Sequence, residues 1–437
     1  MRSVVRSRDI EVVRAQLSGL GPNQIADELR RLDLIDQAVV FRTLAKDTAL
    51  DVFESIDPPH QRRLLDSLTA DEVTDIFTQL DTDDRARLLD EMPAKVASRL
   101  LEQTSPTERA QIALLLGYPS ETAGRLMGPE YVSATATTTV DGALDKIRTS
   151  GYDGDAIYVI YVLDDERRLI GTVALADLVL GAPNSLLDEI MSVNPVRVST
   201  IDDQEDVGRR VLGHGLLAVP VVDREDRLVG VVALDDALDV LEREETEDVE
   251  RVGGATPLDL PYLAAPVSHV FRARIGWLLV LFVAEALTGT VLRSFEATLQ
   301  ATVALAFFVP LLIDTGGNVG SQTTTTVVRA MAIGDVRLTD LGRVVWKELR
   351  VGLLLGAVMA AVGVIRAATW GSGGDLALVV GISLMCIVLL AAIVGSILPI
   401  VLKRFRLDPA VVSAPFITTA VDGLGLLIYL GLATVIL

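Results

Sequence analysis

The feature that most restricts the fold of this chain is a succession of long apolar segments after residue 268. Five of them are long enough to cross a bilayer, which takes about 20 residues: roughly 275–292, 301–313 continuing past a break, 351–369, 376–402 and 410–436. Only helices and closed barrels satisfy their backbone hydrogen bonds inside a bilayer. Residues 269–437 are therefore predicted to form an all-α polytopic membrane domain with five transmembrane helices.

The last apolar segment carries a carboxylate at membrane depth, Asp422. An ionised carboxylate there costs at least about 2.5 kcal/mol, so such residues usually face a bundle interior or a wet cavity and mark an ion path. Thr418 and Thr419 add hydroxyl oxygens close by, and Pro415 is expected to free carbonyls of the preceding turn. We predict a cation pathway centred on Asp422. The alternative is a helix-packing carboxylate that is protonated or hydrogen-bonded to a neighbour.

The second apolar segment contains a polar, glycine-rich run at residues 310–326. Its proline and glycines predict a broken helix, and irregular backbone at membrane depth is tolerated where it is buried or lines a cavity. Asp314, Asn318 and Gln322 favour pore lining, whereas the glycines alone would allow close helix packing. Asp314 could equally be a second intramembrane carboxylate that pairs with a hydroxyl.

Basic residues near the apolar segments sort to one side of the membrane. They precede the first segment, separate the second from the third and separate the fourth from the fifth, while the opposite loops hold only Arg293 and, at a helix end, Arg366. The positive-inside rule then places the N-terminal portion in the cytoplasm and the C-terminus outside. Five crossings are too few to enclose a pore comfortably, so we expect a homodimer with the path between its subunits.

The first 268 residues are strongly acidic. Residues 269–437 hold 12 Lys and Arg and 9 Asp and Glu, which leaves 27 of the 39 basic and 50 of the 59 acidic side chains for the front portion. This balance argues against nucleic acid, whose phosphates need basic partners, and suits small cations, although solubility alone explains many acidic proteins. The single cysteine, Cys386, excludes an intrachain disulfide. The N-terminus lacks the apolar run of a signal peptide.

Residues 22–116 contain an internal repeat of 24 residues. Aligned blocks begin at Pro22, Lys46, Ala70 and Ala94, and each divides again near an Asp or Ser that can cap a helix, at 57–58, 81–82 and 105–106. Two short helices per block predict an α-solenoid N domain over residues 1–126. It would serve as a regulatory or docking arm, or as a passive spacer.

A second duplication covers residues 127–188 and 189–243. Each unit closes with a strand, a turn, a second strand and a helix that starts at an Asp. The two units resemble a tandem pair of CBS domains, an α/β module that senses a ligand such as an adenine nucleotide or a metal.

An acidic stretch follows, with a connecting helix predicted over residues 244–268. Helical spacing places Asp236 with Asp239, and Glu244 with Glu247 and Asp248, on shared faces. A solvated face is the ordinary explanation of such a charge run, and a bound divalent cation is the competing one.

These pieces together resemble the MgtE family of magnesium channels and transporters. The resemblance covers nearly the whole chain and is most specific in GGNVGSQ of the second crossing and DPAVVSAPFITTAVD of the fifth. It implies a plasma-membrane homodimer whose pore is formed chiefly by the second and fifth helices. It also implies that Asp422 holds a largely hydrated Mg²⁺, in agreement with the reluctance of Mg²⁺ to dehydrate.

The same resemblance implies feedback regulation. In the family the connecting helix acts as a plug, and cytosolic Mg²⁺ that bridges acidic residues of the arm, the CBS pair and the plug closes the pore. The matching residues here include Asp236, Asp239, Glu244, Glu247 and Asp248. Ala176 replaces a basic residue that some relatives carry near a nucleotide pocket, which leaves adenine-nucleotide binding open.

Enzymatic function is not expected. The sequence has no GxxxxGK[ST] phosphate loop, and His60, His214 and His269 lie on separate segments, so neither a zinc site nor a histidine-based triad is indicated. Two other functions compete with the channel: a membrane-anchored CBS sensor of nucleotide or metal, and a carrier that exchanges the cation for Na⁺ or H⁺. The preference among Mg²⁺, Co²⁺ and Mn²⁺ is open at this stage.

Overall fold

The structure is a computed structural model of the 437-residue chain. It describes residues 10–405 and 414–437, except 33, 57, 153, 259–261, 263, 264 and 372. Predictions that fall on Asp57 and on the segment 408–413 therefore lie outside the described residues. The chain forms two compact units, one built from the residues up to Glu244 and the other from residues 245–258 together with those from Ala265 onward.

The first unit begins with short helices, as the repeat predicts. They are α1 (Ile10–Leu17), α2 (Pro22–Arg30), α3 (Leu34–Thr43), α4 (Lys46–Glu54), α5 (Pro58–Leu65), α6 (Ala70–Phe77), α7 (Thr82–Glu91), α8 (Ala94–Gln103), α9 (Pro106–Leu116) and α10 (Ala123–Leu126). Every block start is a helix start, and the second helix of each of the last three complete blocks begins after residue 57, 81 or 105. The prediction of two helices per block is confirmed.

Local chemistry explains two of these helix starts. Thr69 and Ser105 each accept a hydrogen bond from the backbone N–H three residues on, and Glu72 and Glu108 return the bond to complete a capping box. Equivalent apolar positions of successive repeats fill one core, with Leu29, Phe53 and Phe77 all buried. Each helix pair thus buries its apolar face against the next pair.

Two small sheets follow within the first unit. The first contains β1 (Val132–Thr135), β2 (Val159–Leu163), β3 (Leu169–Ala174) and β4 (Ser192–Val193) in that order, with β1 parallel to β2 and the other pairs antiparallel. The second contains β5 (Val198–Ser199), β6 (Ala218–Val222) and β7 (Leu228–Ala233) with matching directions. The helices are α11 (Val140–Ser150), α12 (Leu175–Leu180), α13 (Leu187–Ile190) and α14 (Gln204–His214). The predicted duplication of strand, turn, strand and helix is confirmed.

The acidic stretch is part of the last helix of this duplication. A single helix, α15 (Leu234–Val252), runs from the end of β7 through the acidic residues and ends before Gly253 and Gly254. No glycine or proline interrupts residues 234–252, so nothing in the sequence stops the helix at residue 243. The acidic helix therefore begins earlier and ends earlier than the predicted range of 244–268.

The second unit contains the long apolar helices. They are α16 (Val267–Ser294), α18 (Ala304–Ala332), α19 (Leu341–Thr369), α20 (Gly374–Arg404) and α21 (Ala414–Ile436), with a short α17 (Glu296–Ala301) between the first two. Within the described part of the chain, these five helices have the length and composition to cross a membrane. The predicted five-helix membrane domain is confirmed.

One expectation about this domain is wrong. The run of proline, glycines and polar residues does not break the second crossing, because α18 is helical from Ala304 to Ala332 with Pro310 inside it. The glycines serve packing instead: a Cβ added to Gly317 would lie 2.7 Å from Thr418 Cγ2, and one on Gly320 would lie 2.7 Å from Ile417 Cγ2. Small residues let α18 and α21 approach closely, as they do between many membrane helices.

Candidate functional site

Asp422 occupies the middle of the membrane unit. It lies on α21, which packs against α16, α18 and α20, and only 8% of the residue is exposed within one subunit. Its Oδ1 has no hydrogen-bond partner among the described residues. A buried polar atom without a partner is costly, and in native structures it usually meets water or an ion. The carboxylate is therefore suited to bind a hydrated cation.

The residues from Asp314 to Gln322 give α18 a polar face. Asp314, Asn318 and Gln322 lie four residues apart, so they share one side of the helix, and all three are exposed within the subunit. Asn318 Nδ2 donates a hydrogen bond of 3.1 Å to Asp314 Oδ2. The opposite side of α18 is buried against its neighbours. A polar face of this kind is unfavourable toward lipid, so it must meet water or a second subunit.

The two predicted hydroxyl ligands lie one turn before Asp422 on α21. Thr418 Oγ1 donates to the carbonyl of Ala414 over 3.0 Å, and Thr419 Oγ1 donates to the carbonyl of Pro415 over 3.1 Å. Thr418 Oγ1 also lies 3.2 Å from Ser321 Oγ on α18. Their protons are thus engaged locally, while each oxygen keeps acceptor capacity toward an ion or its waters. The carbonyl that Pro415 would free belongs to residue 411, outside the described residues.

A third carboxylate in the membrane unit was missed by the sequence reasoning. Glu285 lies on α16, inside the first predicted crossing, and it is exposed within the subunit. Glu285 and Asp314 each add negative charge that acts electrostatically on Asp422. The sequence alone could have identified Glu285, because the free-energy cost of placing a charge at membrane depth, which identified Asp422, applies equally to a glutamate in an apolar segment.

In the first unit, acidic side chains of the arm and of α15 gather around one arginine. Arg87 Nη2, on α7, lies 2.6 Å from Asp84 Oδ1, 2.7 Å from Asp236 Oδ1 and 3.3 Å from Asp83 Oδ2. Burial raises the pKa of Asp83 and of Asp236 to about 7, although Arg87 acts in the opposite direction. The predicted regulatory residue Asp236 is thus held by a guanidinium in this structure.

The other predicted regulatory residues have separate surroundings. Asp239 is exposed on α15, Glu244 accepts a hydrogen bond of 2.6 Å from Gln204 Nε2, and Glu247 pairs with Arg251 over 2.9 Å. Asp248 lies half-buried on the same helix. Within the ranges that the structure describes, no group of three or more carboxylate, imidazole or thiol side chains forms a ready-made metal centre. Cations would therefore be bound here through water, or after side chains move together.

Within the second unit, the end of α15 is fixed to the membrane helices. Glu245 Oε1 lies 3.1 Å from Arg329 Nη1 on α18, and the N–H of Thr256 donates to the carbonyl of Ala273 on α16 over 2.9 Å. Gly254 has a φ of 76°, and a Cβ there would lie 2.9 Å from Trp277 Cδ1. These contacts attach the end of α15 to the N-terminal part of α16 and to the C-terminal part of α18.

Family models match most of the chain. The model described as a divalent cation transporter matches residues 309–432, the MgtE intracellular N domain matches 20–121, and CBS domains match 123–182 and 187–243. The magnesium transporter MgtE of Thermus thermophilus is 42% identical over 328 residues, which are 75% of this chain and 73% of that protein. The chain belongs to the MgtE family. The family resemblance inferred from the sequence motifs is confirmed.

Two further relatives of this MgtE family member are informative. The magnesium transporter MgtE of Bacillus subtilis is 33% identical over 323 residues, 74% of this chain and 71% of that protein. The solved cytosolic domain of the Mg²⁺ channel MgtE in complex with ATP is 34% identical with a TM-score of 0.50, and the match covers 55% of this chain and 98% of that one. The helical arm and the paired sheets therefore have a solved counterpart.

Proposed function

We propose that this MgtE family member transports Mg²⁺ across the plasma membrane as a homodimer, through a path lined by Asp422 and by the polar face of α18. The observation that carries the proposal is the buried Asp422, whose Oδ1 has no hydrogen-bond partner among the described residues. A helix that only anchors the protein in the membrane does not need a buried carboxylate, which is costly to place there. The names of the curated relatives, magnesium transporters all, identify the cation.

The ion passes Asp422 largely hydrated. Mg²⁺ dehydrates reluctantly and is commonly held by one or two carboxylates while it keeps several waters. Asn318 and the hydroxyls of Thr418 and Thr419 then bind those waters rather than the ion itself. The polar face of α18 is exposed within one subunit, which is why the path needs a second subunit to close it.

Cytosolic Mg²⁺ closes the path by binding the acidic residues of the arm, the CBS pair and α15. The front portion carries 50 acidic and 27 basic residues, so its parts repel one another until cations neutralise them. The attachment of Glu245 and Gly254 to the membrane helices supports a mechanical link from α15 to the path. In this orientation the N-terminal unit is cytoplasmic and the C-terminus is external, as the basic loops predict.

The test is Mg²⁺ uptake into proteoliposomes that contain the full-length protein, with Mg²⁺ varied on the cytoplasmic side. We expect uptake that cytoplasmic Mg²⁺ suppresses, and we expect Asp422→Asn to abolish it without changing the elution of the dimer in size-exclusion chromatography. Asp375→Asn is the matched control, because Asp375 is exposed in the first turn of α20 and undergoes the same chemical change. Normal uptake by Asp422→Asn would refute the pathway.

A further inference from the structure

We propose that Glu285 and Asp314, together with Asp422, form a binding position for a hydrated divalent cation along the proposed path, with the Thr288 hydroxyl as an additional group for the ion's waters. The inference rests on the proposed transport function and extends it to α16. Its starting point is the packing of α16 and α18 against α21 close to Asp422, since each of these three helices carries one of the carboxylates.

Helix packing places these three carboxylates at one level of the membrane unit. Thr288 Oγ1 lies 3.7 Å from the position that a Cβ on Gly423 would take, so α16 meets α21 next to Asp422. On the other side, a Cβ on Gly316 would lie 2.8 Å from Val421 Cγ1. Glu285 is three residues from Thr288 and Asp314 is two residues from Gly316, each within one helical turn of the contact.

Thr288, on α16, has a buried hydroxyl next to this position. Only 6% of the residue is exposed, and its Oγ1 has no hydrogen-bond partner among the described residues. Threonines elsewhere in the membrane helices, such as Thr290, Thr315 and Thr418, donate to the carbonyl four residues earlier. Thr288 instead directs its hydroxyl toward α21 at Gly423. Two unpartnered polar groups, Thr288 Oγ1 and Asp422 Oδ1, therefore lie on adjoining residues of two helices.

The charge of this position favours binding of a mobile cation. Three carboxylates at one depth repel one another, and none of the three has an ion pair with Lys or Arg in the described part of the chain. Glu285 is also exposed within the subunit, where contact with lipid would be unfavourable for its charge. Because these side chains form no ready-made ligand set, the cation keeps its water shell and is held by the summed charge.

The first test is carboxyl labelling of the full-length protein in lipid nanodiscs with dicyclohexylcarbodiimide, a hydrophobic reagent for membrane-embedded carboxyl groups. Peptide mass spectrometry would follow labelling at Glu285 and Asp422 while Mg²⁺ is titrated against K⁺ at equal ionic strength. We expect Glu285 to be labelled without Mg²⁺ and protected by Mg²⁺ with the same midpoint as Asp422. Labelling at Glu285 that is absent, or that Mg²⁺ leaves unchanged, would overturn the inference.

The second test is transport by matched variants. Removal of one charge beside a divalent ion weakens binding strongly at low dielectric, so Glu285→Gln should raise the half-saturating Mg²⁺ concentration by about tenfold or more. Thr288→Val should raise the half-saturating Mg²⁺ concentration by a few fold, whereas Thr288→Ser, which keeps the hydroxyl, should have the value of the unmodified protein. Glu296→Gln is the control, because Glu296 lies outside this cluster on α17 and bonds to Gln300 over 3.0 Å.

The outcomes separate this inference from the proposed function. Suppose that Asp422→Asn loses uptake while the half-saturating Mg²⁺ concentration of Glu285→Gln stays within about twofold of the unmodified protein, the size of a lost weak contact. This result would remove the role of α16 and leave the transport function intact. Absence of uptake in the unmodified protein would remove the transport function, and the labelling result would still decide whether the three carboxylates bind Mg²⁺.

Discussion

Removal of the Arg87 guanidinium tests what holds the helical arm to the CBS pair within the first unit. Arg87 bridges Asp83 and Asp84 on its own helix to Asp236 on α15, with contacts of 2.6–3.3 Å. The side chains are largely buried, with exposed fractions of 23% for Arg87 and 15% for Asp236. Arg87→Ala would leave three buried carboxylates around an empty space.

The expected cost is large because an uncompensated buried charge remains. Breaking a buried ion pair by removing one partner costs about 3–5 kcal/mol. At about 1.4 kcal/mol for each factor of ten, local opening of α7 and α15 should become roughly 140 to 3,700 times more frequent. Arg148→Ala is the control, because the Arg148–Asp145 pair has similar geometry at 2.7 Å but exposed fractions of 63% and 65%, and exposed pairs contribute only about 0–1 kcal/mol.

Hydrogen–deuterium exchange of the full-length protein measures this opening at peptides from α7 and α15. In chelator-containing buffer Arg87→Ala should exchange much faster than Arg148→Ala. Mg²⁺ should then slow the variant more than the unmodified protein, because a ligand that binds only the closed state stabilises it by about 2.7 kcal/mol at 100 times its Kd. Equal exchange in the two variants, or no effect of Mg²⁺ on Arg87→Ala, would refute the reasoning.

Two further predictions concern α7 and the turn that follows α15. Burial raises the pKa of Asp83 to about 7 from an unfolded value near 3.9, so the folded unit binds more protons between about pH 4 and pH 7 and its free energy of unfolding should fall as pH rises through that window. Calorimetry in Mg²⁺-free buffer should show this slope, and Asp83→Asn should reduce it, while the raised pKa of Asp236 keeps part of it. Gly254→Ala places a side chain at a φ of 76° against Trp277, which costs about 1–2 kcal/mol or more. The cytoplasmic Mg²⁺ concentration that half-inhibits uptake should therefore rise by about 5- to 30-fold, and an unchanged value would mean that this turn does not transmit closure.

Much of the fold was predictable because it repeats. Helix starts at Lys46, Ala70 and Ala94 follow from a 24-residue period. The duplicated strands and the five apolar helices likewise follow from local patterns. Local rules failed at α18, where Pro310 and the glycines predicted a break, because membrane helices tolerate such residues when neighbouring helices pack against them.

The candidate sites were predictable only in part, because they join distant segments. Asp422 was identified by its own environment in the sequence, and the same rule applied evenly would have identified Glu285. Arg87 was beyond sequence reasoning, since its partner Asp236 lies 149 residues away. The composition of α7 does not indicate which of its charged side chains is buried against α15.

The two units treat buried carboxylates in opposite ways, and the difference separates structure from transport. Around Asp236 the chain supplies its own cation, Arg87, which joins α7 to α15. Around Asp422 the described residues supply no basic side chain, and Glu285 and Asp314 add further negative charge. A fixed arginine there would neutralise the site and exclude the ion. An acid cluster left without a basic partner inside a membrane is stable only while mobile cations or protons visit it, as a transport path requires.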